Sequence, residues 1–312
     1  MKTSITGDGW AGLSLAILLK DLGETYRIRM RPERKRPHTT GAILERHPKS
    51  IDEIIERHTV AEIREVEIRH RGKTATYPIY ARMVDPVPCL HEMRKEARSD
   101  GDIEPDVQVD ATGAKRGVLG VEYTIKSTTV EQKLVFDFNM PPGTGYTWTF
   151  GFGENRAKVG MISNRNDARF DTLRAYVKEK YPDFRIIEKM SGTTAYGWTD
   201  RVVNGRTAAI GDAAKQVNPV SYEGIRPAIR AAEVLAGAIR NENLAEYQKW
   251  HTENIARPYR VAVLANKIVQ RTGFPVTSVS VQDVQRIGEN PIRIIAKTII
   301  RVFVPTLRRR SQ

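Results

Sequence analysis

The chain has 312 residues, 40% hydrophobic and 28% charged, which is enough apolar material for about two packed domains and too little polar bias for a disordered or fibrous chain. Its formal charge of +13 suits anionic membrane surfaces, nucleic acid or phosphorylated ligands, and the basic residues gather at Arg27–Arg36 and Arg293–Arg310 instead of covering one face, which argues for two local roles over nucleic-acid binding. A single cysteine, Cys89, excludes a disulfide framework or cysteine-rich metal site and suits a reducing cytoplasm, no leader is expected before the first strand, and no apolar run of about 18 residues predicts a spanning helix.

In chain order, Lys2–Thr6 reads as a short strand, followed by Gly7-Asp8-Gly9-Trp10-Ala11-Gly12 and the helical run Leu13–Lys20. Strand, glycine loop and helix form the context in which a GxGxxG pattern binds a dinucleotide. The first glycine makes the turn, the second admits a pyrophosphate, the third lets helix pack on strand, and the helix start offers amide donors. A second strand, Tyr26–Met30, follows at βαβ spacing. It ends in Met30 and Arg31, where an acid for ribose hydroxyls is expected. Arg31, with Arg34, Lys35 and Arg36 behind it, suits a ribose phosphate of NADP type or equally a solvated basic turn.

Further along, Val66–Ile79 reads as a hairpin, Leu90–Ala97 as a helix, and Val118–Met161 as several strands of an antiparallel sheet covered by a helix over Asp171–Tyr181. Tyr146, Trp148 and Phe150 alternate along one strand and so share a face, as the wall of a groove for a long apolar chain or as ordinary sheet core. The stretch Arg206–Ala214 ends a buried strand in Gly211-Asp212; Gln216-Val217-Asn218-Pro219-Val220 follows, and then Glu223-Gly224-Ile225-Arg226 opens an Ala-rich helix to Arg240. Asp212 can bond a polyol hydroxyl, and the free amides at Gly224 and Ile225 can meet negative charge. The six histidines show no metal-binding spacing and are expected at the surface; no serine-hydrolase elbow or P-loop occurs. Neither a metal nor a catalytic side chain is assigned.

From Leu244 onward the chain reads as helical. Over Pro291–Val304, Arg293, Lys297 and Arg301 recur every fourth residue opposite isoleucines, with Arg308–Arg310 beyond. The pattern fits a helix lying on anionic lipid headgroups or one packed on the protein's own core.

Four motifs in order, Gly7–Gly12, Asp110-Ala111-Thr112-Gly113, Gly211-Asp212-Ala213-Ala214…Asn218-Pro219 and Glu223-Gly224-Ile225, resemble the geranylgeranyl reductase family within the flavoprotein hydroxylase superfamily. Pro142–Phe150 resembles that family's P-x-x-Y-x-W-x-F motif with one extra residue. The resemblance runs through most of residues 1–240 and implies an α/β fold. Its FAD/NAD(P)-binding Rossmann-like domain of three-layer ββα type (1–40, 90–113, 207–240) would carry an inserted antiparallel-sheet substrate domain (41–89, 114–206) and a helical C-terminal region (241–312). It implies FAD held by Gly7, Gly9, Ala11, Gly12, Arg31, Thr40, Gly41, Arg82, Gly211, Asp212, Asn218, Pro219, Gly224 and Ile225, with a prenyl chain held by Tyr146, Trp148 and Phe150. The implied activity is reduction of C=C bonds in geranylgeranyl chains of membrane lipids or their precursors. NADPH or a ferredoxin would supply electrons, in a cytoplasmic enzyme peripheral to the inner face of the cell membrane. An aromatic monooxygenase and a catalytically silent flavin- or lipid-binding protein are the alternatives. The family's Cys-Gly pair is replaced by Thr40-Gly41, and the stretch between Arg82 and Asp110 is compressed, which weakens the adenine end of the expected site.

Overall fold

A computed structural model describes residues 1–31, 40–70, 72–99, 101–139, 145–163, 168–219 and 221–272. The basic segment at 32–36 and the C-terminal pattern at 291–310 therefore lie outside the described residues.

The chain opens with strand β1 (Thr3–Thr6), helix α1 (Trp10–Asp21) and strand β2 (Tyr26–Arg29), with β1 and β2 parallel and Thr3 opposite Tyr26. Every residue of α1 from Trp10 to Leu19 is buried. A helix apolar all round must be covered on all sides, and this one lies in the same core as apolar residues of four others. Next come β3 (Ala42–Leu44), α2 (Lys49–Arg57), the long hairpin β4 (Thr59–His70) and β5 (Lys73–Val84), α3 (Pro86–Glu96) and β6 (Val107–Asp110).

Strands β7 (Val118–Lys126), β8 (Leu134–Asp137), β9 (Gly145–Phe152) and β10 (Arg156–Ser163), helix α4 (Phe170–Lys180) and strand β11 (Arg185–Thr194) follow. The chain then returns through β12 (Val203–Asn204) and β13 (Thr207–Ala209), a single 3₁₀ turn over Gly211–Ala214, and α5 (Ile225–Arg240). Helix α6 (Leu244–His251) runs through a π turn at Thr252–Ala256 into α7 (Arg257–Thr272).

Two sheets result. One has the order β12-β13-β6-β1-β2, and the other β11-β7-β10-β9-β8-β4-β5-β3. In the first, β6, β1, β2 and β13 run parallel with helices packed in the core against them, as in dinucleotide-binding sheets. The second is antiparallel apart from the β4–β8 pairing. One face of it carries Ile63, Met83, Leu134, Trp148 and Phe150. The other buries Val121, Tyr123 and Ile125 beneath Leu173 and Val177 of α4.

Three features differ from expectation, each for a physical reason. Helix α3 starts at Pro86 instead of Leu90, because Asp85 caps it by accepting the Val87 N–H (3.2 Å) and Pro86 and Pro88 fall in its first turn. Helix α2 lies within the stretch assigned from sequence to the substrate domain, yet Ile51, Ile54 and Ile55 pack into the core around α1. His251, expected at the surface, is fully buried, since its ring bridges Gln216 and the Thr199 carbonyl.

Candidate cofactor and substrate site

The glycine loop behaves as three different positions. Gly7 has φ +119°, and a Cβ there would stand 2.2 Å from the Ala111 carbonyl oxygen, so the turn onto β6 admits only glycine. A Cβ on Gly12 would stand 2.1 Å from the Gly7 oxygen, which is the close approach of helix to strand. A Cβ on Gly9 would meet no protein atom within 4 Å. Gly9 is the N-cap of α1 and makes no side-chain cap bond, so the bare surface there lies where a helix start attracts an anion. Gly113, at φ +91°, faces open space in the same way. The loop thus fits a pyrophosphate.

The loop also carries an acid of its own. The Asp8 side chain is only 5% exposed; Arg31 Nε donates to Oδ1 (3.3 Å), and Arg94 of α3 donates to Oδ2 and to the Arg31 carbonyl (2.7 Å). A carboxylate at a phosphate loop would repel its ligand, and two guanidiniums turn that local charge positive. Sequence reading missed Arg94. Its place on α3, 86 residues from Asp8, is visible only once the helix is docked.

Gly41 and Arg82 flank β3, which packs against α5, and half-buried Thr40 precedes Gly41. Gly41, at φ +79°, accepts the Val84 N–H (2.9 Å), and a Cβ there would stand 2.3 Å from the Val84 oxygen. Arg82, opposite Ile43 in the β3–β5 pairing, is buried; it donates to Asp52 (2.5 Å) and to the Glu45 carbonyl (3.0 Å), while its Nε has no partner. Arg226, in the first turn of α5, donates to Glu223 (2.8 Å) and Glu45 (2.9 Å). Burial pushes His47, between these groups, down to about 4; Asp52 pulls it up, and Arg82 and Arg226 push it further down, so the ring stays neutral.

The second glycine loop lies directly against α1. Gly211 has φ +65°, and a Cβ there would stand 2.7 Å from the Ala11 methyl carbon. Asp212 Oδ2 accepts the Ala195 N–H (2.9 Å) and the Thr194 hydroxyl (3.3 Å), both from the end of β11. Burial nonetheless holds its carboxyl above the usual range. A Cβ on Gly224 would lie 3.7 Å from Asp212 Oδ1, so that oxygen and the N-cap of α5 share one place. Beneath the loop, Gln216 accepts the Gly211 N–H (2.7 Å) and donates to Tyr247 (2.8 Å), whose hydroxyl donates to the Ala209 carbonyl (2.7 Å). Asn218 accepts the Ser221 N–H (3.2 Å) and donates its own N–H to the Glu223 carbonyl (3.0 Å), while Pro219 beside it is buried; together they set up the approach to Gly224 and half-buried Ile225.

Tyr146, Trp148 and Phe150 share one face of β9 as expected, and all three are buried. Phe136 meets Tyr146 and Phe150 edge-on with centroids at 5.5 and 5.3 Å. The partly exposed rim of the cluster is supplied by Phe138, Tyr196 and Tyr222, the last two stacked at 5.9 Å. Tyr222 has φ +53°, a backbone state that non-glycine residues seldom adopt, and it stands two residues before the N-cap of α5. The Tyr146 hydroxyl donates to the Ser221 carbonyl, so the aromatic face is tied to the loop that opens α5. Among the described residues no cluster of metal-ligating side chains occurs and no helix is long and apolar enough to cross a membrane.

Fold and paired glycine loops define the Rossmann-like architecture of flavin-dependent enzymes. A geranylgeranyl bacteriochlorophyll reductase-like protein from Thermoplasma acidophilum superposes with a TM-score of 0.72, 15% identity and 99% and 98% of the two chains covered. A flavin-dependent brominase superposes with a TM-score of 0.71, 12% identity and 99% and 100% covered. In sequence the chain is similar to a digeranylgeranylglycerophospholipid reductase of Methanothrix thermoacetophila, 31% identical over 189 residues, 50% of this chain and 48% of the relative. It is also similar to digeranylgeranylglycerophospholipid reductase 2 of Methanopyrus kandleri, 25% identical over 268 residues, 77% of this chain and 66% of the relative. The chain thus spans about half the length of the first of these relatives. No family model matches it.

Proposed function

We propose that the protein is an FAD-dependent oxidoreductase that reduces C=C bonds of geranylgeranyl chains in membrane lipids or their precursors. The single observation that carries this reading is the hydrogen bond from Tyr146 to the Ser221 carbonyl, which couples an aromatic face to the loop opening α5. Similarity to named digeranylgeranylglycerophospholipid reductases supports the substrate class.

Gly9 and the start of α1 would hold the pyrophosphate, with Arg31 and Arg94 adding positive charge at the adenine side. Asp212 Oδ1 offers an acceptor for a ribityl hydroxyl, and the N-terminus of α5 at Gly224 and Ile225 would favour negative charge on the ring. A bound reduced flavin would supply the chemistry, giving a hydride to one alkene carbon while a proton adds to the other, and becoming oxidised in the process. The protein's own work is positioning and exclusion of water. The rim of Phe138, Tyr196 and Tyr222 gives an unsaturated chain flat apolar contacts, and the buried rings of Tyr146, Trp148 and Phe150 keep that rim in place. NADPH and a reduced ferredoxin are the electron donors to compare.

The test is a spectrum followed by an assay. Purified protein should bind FAD with visible flavin absorbance, and the reduced, anaerobic protein should add hydrogens in pairs to a geranylgeranyl phospholipid, read by mass. Oxygen uptake coupled to a small phenol would instead establish a hydroxylase, and absence of flavin after reconstitution would leave a binding role only. Sedimentation with anionic vesicles tests contact of the basic C-terminal segment with a membrane surface.

A further inference from the structure

A buried acid lies in the same sheet face as the aromatic rings, at the edge of Trp148. The strand registers place Phe136 opposite Trp148, Trp148 opposite Gly160, Gly160 opposite Glu122, and Glu122 opposite Met190, so one row crosses five strands. Glu122 is 3% exposed and accepts the Trp148 indole N–H through Oε2 (3.1 Å). The indole reaches it by lying across Gly160, where a Cβ would stand 2.1 Å from Cζ2 of the ring. Trp148 is therefore set from below by the bare strand and at its edge by the carboxyl. An indole N–H needs only one acceptor, which an amide would provide without a titratable group in an apolar interior.

The row continues into the loop ahead of α5. Trp148 meets Tyr146 edge-on at 6.0 Å, and Tyr146 holds the Ser221 carbonyl. The charged groups that face Glu122 are Lys158 on β10 and Glu188 on β11, each with contacts of its own, and β9 presents the Trp148 N–H. Burial pushes Glu122 up to about 7; Lys158 and the indole N–H pull it down and Glu188 raises it.

We propose that Glu122 is a positioning residue that fixes the plane of the Trp148 indole and, through Tyr146, the seat of the loop Ser221–Glu223 on which the start of α5 depends. That the loop faces a flavin and the rings a prenyl chain rests on the function proposed above; the hydrogen-bonded row is a property of the protein alone.

The experiment uses the whole chain labelled with ¹⁵N at tryptophan. Four indole N–H signals are expected from four tryptophans, and Trp148→Phe assigns the relevant one. In the wild type that signal should titrate with a midpoint near 7, and the ring signals of Tyr146 should follow it. Glu122→Gln keeps the shape and an acceptor oxygen and should abolish the titration in a folded protein. A wild-type Trp148 signal that does not respond to pH, a response unchanged in Glu122→Gln, or Tyr146 signals indifferent to both overturns the proposal. In turnover, KM for a geranylgeranyl phospholipid should follow the same midpoint in the wild type and flatten in Glu122→Gln, with kcat in mildly acidic buffer unchanged. A KM profile identical in the two proteins also counts against the assignment. Absence of any turnover in the wild type sinks the reductase reading and leaves the indole titration to decide the role of Glu122.

Discussion

Ala11, in the first turn of α1, and Gly211, at the end of the strand–loop unit that follows β13, are in contact so close that a Cβ on Gly211 would lie 2.7 Å from the Ala11 methyl carbon. The two loops separated by most of the chain are thereby locked together at the point where a dinucleotide would pass from one to the other. Gly211 also holds φ +65°, where an L side chain is strained. Gly211→Ala should therefore destabilise by about 1–3 kcal/mol and lower flavin retention. Thermal melts with and without added FAD read both effects, and an unchanged melting temperature would show that the loops are free to separate.

The pairing of Asp8 with Arg94 predicts a charge-dependent phenotype. Arg94→Ala leaves a carboxylate that is 5% exposed facing the phosphate site with only the 66%-exposed Arg31 to neutralise it. Flavin affinity should fall roughly tenfold or more, and Asp8→Asn added to Arg94→Ala should restore part of it. Arg31→Ala should matter less, because its side chain is exposed and screened. Quenching of flavin fluorescence on titration distinguishes these; a double variant no better than Arg94→Ala contradicts the repulsion argument.

Glu122 makes stability fall as pH rises. Its carboxyl is shifted from 4.5 when free to about 7 in the fold, so below the lower value it is neutral in both states and contributes nothing. Between the two, the unfolded chain releases its proton first and stability declines. Above the upper value the full penalty is present, of order 3 kcal/mol as an upper bound. Glu122→Gln should thus gain stability over the wild type in mildly alkaline buffer and lose that advantage in acid, read as urea midpoints at the two conditions. A constant difference would mean that burial does not hold the proton.

Gly160 gives Trp148 room for its ring. In Gly160→Ala the new methyl would overlap the indole, and the ring must leave its place. A loss of about 1–3 kcal/mol is expected from the overpacking, with a changed near-ultraviolet circular dichroism signal and weaker FAD retention, since the displaced indole no longer braces Tyr146 and, through it, the Ser221 carbonyl ahead of α5. Full FAD retention alongside a changed ring signal would show that the indole does not seat the loop.

Sequence alone determined the local devices. The order strand, Gly7–Gly12, helix, the helix start after Glu223, the alternation of Tyr146, Trp148 and Phe150, and the positions that need glycine all follow from rules acting over a few residues. Even the early start of α3 was legible in Asp85-Pro86, a capping signal of the same range.

Tertiary structure decided whatever depends on which distant segments meet. Asp8 finds Arg94 only because α3 docks beside α1. Asp212 is held by Thr194 and Ala195 only because β11 ends there, and His251 becomes buried only because α6 covers the Gly211 loop. Glu122 looks like any acid on a strand until the register of β7, β10 and β9 puts it at the edge of Trp148. Side-chain pairing across strands is fixed by register, and register by the burial of whole faces. No window of sequence carries that information, whereas the turn and cap chemistry that builds the two glycine loops is written in the residues themselves.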